Sequence, residues 1–215
     1  MKTTYLTFFA FLFFCCNCVF AQDTIAVLNL PKYNNERFHF GFSIMGSTSH
    51  LLINQNAPTQ LSSPNEIGFA MGIISELNLH NNFALRFVPD LSFIIRTITP
   101  IQRTDHAFIN FPINIKARTN RINNFDFYVL LGMRYTLDIT KQKPGATSPS
   151  IQFTKYEYAY EGGIGADYFL SYFKMSLEIK YVTGKDDIMI HNSTSPASIN
   201  SIIPKYWFVS LSFEG

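Results

Sequence analysis

The chain has 215 residues, enough for one medium-sized domain, of which 47% are hydrophobic, 16% aromatic and 15% charged. Lys plus Arg number 17 against 15 Asp plus Glu, a net charge of +2 that gives no basis for a nucleic-acid binder. So much aromatic content with so little charge is unusual for a soluble domain and suits a lipid-facing sheet.

Residues 1–21 read as a secretory signal. Lys2 supplies the positive start, residues 5–14 the apolar run, and Val19-Phe20-Ala21 a cleavage site before Gln22. A membrane anchor is the rival reading, but the apolar run is short for one. Phe14, Cys15 and Asn17 are too large before a neighbouring cysteine to suit a lipoprotein signal. All three cysteines (Cys15, Cys16 and Cys18) fall inside the signal, so the mature chain would have no disulfide and no cysteine-ligated metal. Cleavage removes one cation, leaving 16 bases against 15 acids and a net charge of +1. Beyond the signal, residues 91–95 and 129–133 are too short to cross a bilayer as helices.

Residues 22–37, with Pro31 and Asn34-Asn35, predict an irregular, water-exposed leader. Period-two alternation then begins, and residues 38–215 read as one barrel. The first strand covers 38–45, followed by a polar loop over 47–65. The second covers 66–79 and turns at His80-Asn81-Asn82. The third covers 83–96, with a loop at 97–105. The fourth and fifth form the clearest hairpin: Ala107, Ile109, Phe111, Ile113 and Ile115 share one face, as do Phe125, Phe127, Val129, Leu131, Met133 and Tyr135. Each arm has about the length of a tilted transmembrane strand, roughly 9–11 residues. A polar loop at 140–155 precedes the sixth strand (156–169). A short turn leads to the seventh (173–181), and a long loop at 182–204 to the eighth (205–214).

Eight strands, joined by alternating long and short connections, predict an all-β, antiparallel, eight-stranded transmembrane β-barrel of the outer-membrane type. Both termini would then be periplasmic. Phe38, Phe83, Phe125, Tyr168, Phe173 and Phe213 fall at one rim, and Phe93, Tyr135, Tyr156, Tyr181 and Trp207 at the other, as two aromatic girdles. A lipocalin-like soluble barrel would put the apolar face inside, and would need a charged exterior around an unusually aromatic interior.

The polar face carries Arg86, Asp90, Lys116, Arg118, Asp126, Arg134, Asp138, Glu157, Glu161, Asp167, Lys174 and Glu178, joined by Glu66, Glu76, Arg96 and Lys180. An eight-stranded barrel is just wide enough for its own side chains. Both signs are interspersed, so these groups predict a structural charge network that plugs the lumen rather than an ion path. Glu161-Gly162-Gly163-Ile164-Gly165 lies in mid-strand and opens no helix, so it is no phosphate loop, and its glycines would make room in a crowded lumen. His39 and His106 face inward without a triad partner. No catalytic residue, cofactor, metal or small-molecule substrate is expected.

Several motifs carry a family resemblance. Arg86-Phe87-Val88-Pro89 through Phe93 resembles the RF-P-LSF signature of the PorT-like outer-membrane barrels of Bacteroidota. Similar too are Phe111-Pro112-Ile113 through Lys116, the Arg121-Ile122-Asn123-Asn124 turn, and Tyr128 through Tyr135 with Asp138. In the second half, Tyr158 through Asp167 and Tyr172-Phe173-Lys174 through Glu178-Ile179-Lys180 resemble the same family. The likeness covers nearly the whole mature chain. It implies a non-enzymatic component of the type 9 protein secretion system, needed for gliding motility where that occurs. Such a barrel would sit in outer-membrane lipid and act through contacts with other secretion or outer-membrane proteins, not as the conduit. The alternatives are a stand-alone surface barrel for adhesion or membrane integrity, and a membrane enzyme using His39, His106 or Glu161.

Overall fold

The computed structural model describes residues 27–56, 61–140, 151–191 and 199–215. Residues 1–21, read from the sequence as a signal, and the three cysteines among them lie outside these residues. Nine strands are present among these residues. They are β1 (Phe38–Gln55), β2 (Glu66–His80), β3 (Phe83–Phe87), β4 (Asp90–Ile98), β5 (Gln102–Arg118), β6 (Phe125–Asp138), β7 (Tyr156–Phe169), β8 (Lys174–Gly184) and β9 (Ile199–Glu214). Among the described residues no helix is long and apolar enough to cross a membrane.

Every pairing is antiparallel. β1 pairs with both β2 and β9, so the sheet closes on itself. β3 and β4 together fill one place between β2 and β5, which leaves a ring of eight. The predicted third strand is therefore one strand in the ring but two in hydrogen bonding. It breaks at Val88-Pro89, and Pro112 stands on the neighbouring strand at the same level. Neither proline has an N–H to give to the ladder. Register and parity survive the break: Phe87 and Phe93 face out, and Arg86, Asp90 and Arg96 face in.

Other boundaries differ from expectation. β1 continues ten residues beyond 45, β5 begins before His106, and β9 begins before Lys205 and runs through Pro204. The predicted loop at 97–105 is a tight turn between paired Ile98 and Gln102. The strict alternation of long and short connections fails there, because strand length absorbs what composition suggests is loop. Ser47, Thr48 and Ser49 look like loop residues, yet Ser47 and Ser49 are buried on the inward face of β1.

Alternation fixes what each face meets. On β6, Leu131 is 72% exposed while Arg134 is 3% exposed. The outward apolar residues form a continuous band. Aromatic pairs gather near its edges: Phe125 with Tyr168 at 5.0 Å and Phe173 with Phe213 at 5.9 Å toward one end, Tyr181 with Trp207 at 4.9 Å and Tyr135 with Tyr158 at 5.3 Å toward the other. The end holding Phe38 and Glu214 is called the terminal end below, and the opposite one the far end.

The leader differs most from expectation. It is not water-exposed throughout. Residues Tyr33–Asn35 form a 3-10 turn and Tyr33 is buried in the terminal mouth.

Candidate functional site

Among the described residues, buried ionisable side chains concentrate in the lumen, which is built by strand parity. All twelve sequence-predicted network residues are buried inside it. They fall into three tiers.

The terminal tier is the densest. Arg86 lies 3.0 Å from Glu178 and 3.3 Å from Glu214, and Lys116 lies 2.7 Å from Asp167 and 3.5 Å from Glu76. Lys174 reaches Glu214 at 2.9 Å and Asp167 at 3.6 Å, and Lys180 reaches Glu178 at 3.1 Å. Arg118 lies 3.7 Å from Glu76 and donates to Asn78 Oδ1 at 2.7 Å. Tyr128 donates to Glu178 at 2.9 Å, and its ring lies 4.0 Å from the Lys116 ammonium. Gly165 stands opposite Tyr128 across β6 and β7, and any Cβ there would strike the Tyr128 ring. The glycine makes room for the tyrosine. Asp126 sits beside this tier, paired in register with Asp167, but neither of its oxygens has a hydrogen-bond partner.

In the middle tier Arg134 is 2.7 Å from Glu161 and 3.5 Å from Asp90. Asn110 donates to Asp90 at 2.6 Å, Thr136 donates to Asn110 at 2.7 Å, and Asn114 donates to Glu161. The upper tier holds Arg96 against Glu157 at 2.8 Å and against the Tyr206 hydroxyl, with the guanidinium 4.6 Å over the Phe108 ring. His106 Nδ1 meets Asp138 at 2.7 Å, while His106 Nε2 is buried without a partner. Glu66, expected in the lumen, instead lies at the far rim, 3.7 Å from exposed Arg103.

Buried ions are stable only when paired, because removing charge from water costs several kcal/mol per ion. Here most cations touch two carboxylates. Many ties cross the lumen, so they also brace opposite walls. The cavity between Phe108, Arg134, Glu157 and Tyr206 is about 10 Å³, near the least that one water requires.

At the far end the lumen changes character. Leu51, Ile98, Ile151, Phe153, Ile188, Met189, Ile199 and Ile202 form a buried apolar cluster over the upper tier. Sequence reading assigned most of these to polar loops. At the terminal end Tyr33 stacks on His39 at 3.8 Å, meets Phe169 edge-on at 5.6 Å, and donates to Glu214 Oε2 at 3.4 Å. Burial pushes the Tyr33 hydroxyl far above its ordinary pKa, so it stays protonated and donates.

The Arg121-Ile122-Asn123-Asn124 turn holds the leader in place. Arg121 donates to the carbonyls of Asn29, Leu30 (3.3 Å) and Asn123 (2.7 Å). Asn124 accepts from Asn29 N at 2.9 Å and donates to the Val27 carbonyl at 3.0 Å. Asn123 adopts φ 54°, a left-handed conformation that Asn tolerates. Sequence reading missed Tyr33 and Glu214. Glu214 shares parity with Ser210 and Ser212, so its inward direction was available; Tyr33 stands alone in an irregular segment and gave no such signal.

Among the described residues no group of three His, Cys, Asp or Glu side chains is arranged to hold a metal ion. No curated protein sequence matches the chain. The fold is similar to the crystal structure of the outer membrane protein OprG from Pseudomonas aeruginosa, with a TM-score of 0.50 and 13% identity over 82% of this chain and 93% of that one. It is also similar to the solid-state NMR structure of the outer membrane protein AlkL in DMPC lipid bilayers, with a TM-score of 0.50 and 10% identity over 90% of this chain and 94% of that one. At such identity the likeness shows the fold alone. The profile described as "Outer membrane protein beta-barrel domain" matches residues 20–188. A closed ring of eight, an apolar outward band and a charged lumen agree with that match, and the chain belongs to the outer membrane protein beta-barrel domain family.

Proposed function

We propose that this barrel is a non-enzymatic component of type 9 protein secretion, and of gliding motility where present. In this reading it acts through contacts with other outer-membrane or secretion proteins and is not the conduit. The observation that supports an indirect role is the lumen crossed by three tiers of ion pairs below an apolar cluster, with a cavity of only about 10 Å³ between Phe108, Arg134, Glu157 and Tyr206. Eight strands cannot enclose a channel for a folded protein. The secretion assignment itself rests on the resemblance carried by Arg86-Phe87-Val88-Pro89, the Arg121–Asn124 turn and Tyr172-Phe173-Lys174.

In the same reading the buried charges are structural and the terminal end is periplasmic. Residues 81–82, 119–124 and 170–173 make short turns there, whereas three of the four far-end connections, 56–65, 139–155 and 185–198, are longer and only 99–101 is a tight turn. Deletion of the gene is expected to abolish export of cargo bearing the type 9 C-terminal signal. Secretion at the wild-type level in the deletant, with altered surface adhesion, would instead support a stand-alone surface barrel.

A further inference from the structure

Asn78 of β2 is where the leader, the sheet and the terminal tier meet. Its backbone N–H donates to the Arg37 carbonyl at 2.9 Å. Its side-chain oxygen accepts from Arg118 at 2.7 Å, and its Nδ2 donates to the Glu36 carbonyl at 2.7 Å. A guanidinium only donates and a carbonyl only accepts, so both ends of the amide are assigned. The same Nδ2 lies 3.0 Å from His39 Nε2, which must therefore be the acceptor. His39 is then a neutral imidazole with its proton on Nδ1, a nitrogen buried without a partner.

His39 also carries the leader. Its buried ring is the surface on which Tyr33 stacks, at 3.8 Å and 10° between planes. Protonating Nε2 would set a donor against the Asn78 donor, and Asn78 cannot invert while Arg118 and the Glu36 carbonyl hold it. It would also add a charge where the carboxylates are already engaged. The titratable groups facing His39 are Tyr33 and Glu36 on the leader, Glu76 on β2, Lys174 on β8 and Glu214 on β9. Glu214 is taken by Lys174 and Arg86, Glu76 is shared by Lys116 and Arg118, and Glu36 is exposed to water. Lys174, 4.9 Å over the Tyr33 ring, repels a second cation. Attraction of an imidazolium to the Tyr33 ring is a smaller term than an unpaired buried charge.

We propose that His39 is a proton switch for the leader. Neutral, it seats Tyr33 in the terminal mouth. Protonated, it releases Tyr33 and the 3-10 turn, while Arg121 and Asn124 keep residues 27–30 attached. The closed state is the one without the added proton, so closure holds at high pH and is lost as pH falls through the range where imidazoles titrate, about 6.5. The switch stands independently of any role in secretion.

A spin label on Asn35→Cys tests it in the full barrel in lipid; from Gln22 onward the sequence has no other cysteine. The label should be immobile at pH 7.5, and its mobile fraction should rise about tenfold by pH 5. His39→Phe keeps a ring for the stack without a titrating nitrogen and should stay immobile across the range. Tyr33→Ala should be mobile throughout, and the gel shift of the folded barrel reports that each variant assembles at both pH values. Should His39→Phe not assemble, the nitrogen NMR shifts of His39 in the native chain decide the matter, with the Nδ1–H tautomer expected at pH 7.5. A label whose mobility does not change with pH, a transition that survives His39→Phe, or an Nε2–H tautomer at pH 7.5 would overturn the switch.

Discussion

Along β1 the inward side chains run from His39 through Ser43 and Met45 to Leu51, and along β9 from Glu214 through Ser210 and Phe208 to Ile202. The same face of the same strands thus passes from polar on β1 and charged on β9 near the termini to apolar at the far end. The outward face passes the other way, from Phe38, Phe40 and Phe42 on β1 to Asn54, and on β5 from Ile115 and Ile113 to Asp105 and Arg103. Where the outside is apolar, the inside is closed by ion pairs. Where the outside is polar, an ordinary apolar core suffices. One closed sheet is therefore built by two rules, and the exchange marks where hydrocarbon gives way to water.

The difference between these regions can be broken at chosen points. The largest effect is expected from Lys116→Ala, which takes the nearest cation from Asp167 and Glu76 and leaves them to the longer ties with Lys174 and Arg118. Breaking a buried pair costs about 3–5 kcal/mol, an upper bound where a second cation remains. Global unfolding in detergent and urea should show that loss, and an unchanged midpoint would mean water reaches the terminal tier. Ile202→Ala, in the apolar cluster, should cost about 2–4 kcal/mol. Its effect should appear as faster hydrogen exchange at 151–153 and 188–190, with the barrel strands unaffected. If the β5–β6 hairpin loosens equally, the two regions are one cooperative unit.

Smaller changes sharpen the picture. Gly165→Ala forces the Tyr128 ring aside and weakens its hold on Glu178, a loss of about 1–3 kcal/mol. Tyr128→Ala in the same background should recover part of it, since the clash is then gone. Arg103→Ala removes the exposed pair with Glu66 and should shift stability by no more than about 1 kcal/mol. A larger shift would mean that the far rim also depends on ion pairs.

Much of the barrel was legible because alternation is a local property. Leu131 and Arg134 disclose their faces from their neighbours alone, and so do all twelve network residues. Strand ends were less legible. Ser47, Thr48 and Ser49 have loop chemistry, and only pairing with β2 and β9 makes them strand. The break at Val88-Pro89 was visible as a proline, but not its partner level on β5.

Which charges meet is another matter. Lys174 with Glu214, and Asp167 with Ser176, are register neighbours on adjacent strands. Arg86 with Glu178, and Lys116 with Asp167, join strands that never pair, so closure of the ring and its stagger decide them. Tyr33 is similar: its recess combines His39, Phe169 and Glu214 from three strands and exists only once β1 meets β9. The order of residues determined two faces and their chemistry, because side chains alternate wherever a chain is extended. The closed tertiary structure chose the partners, because distance across a lumen depends on how the strands are staggered around it.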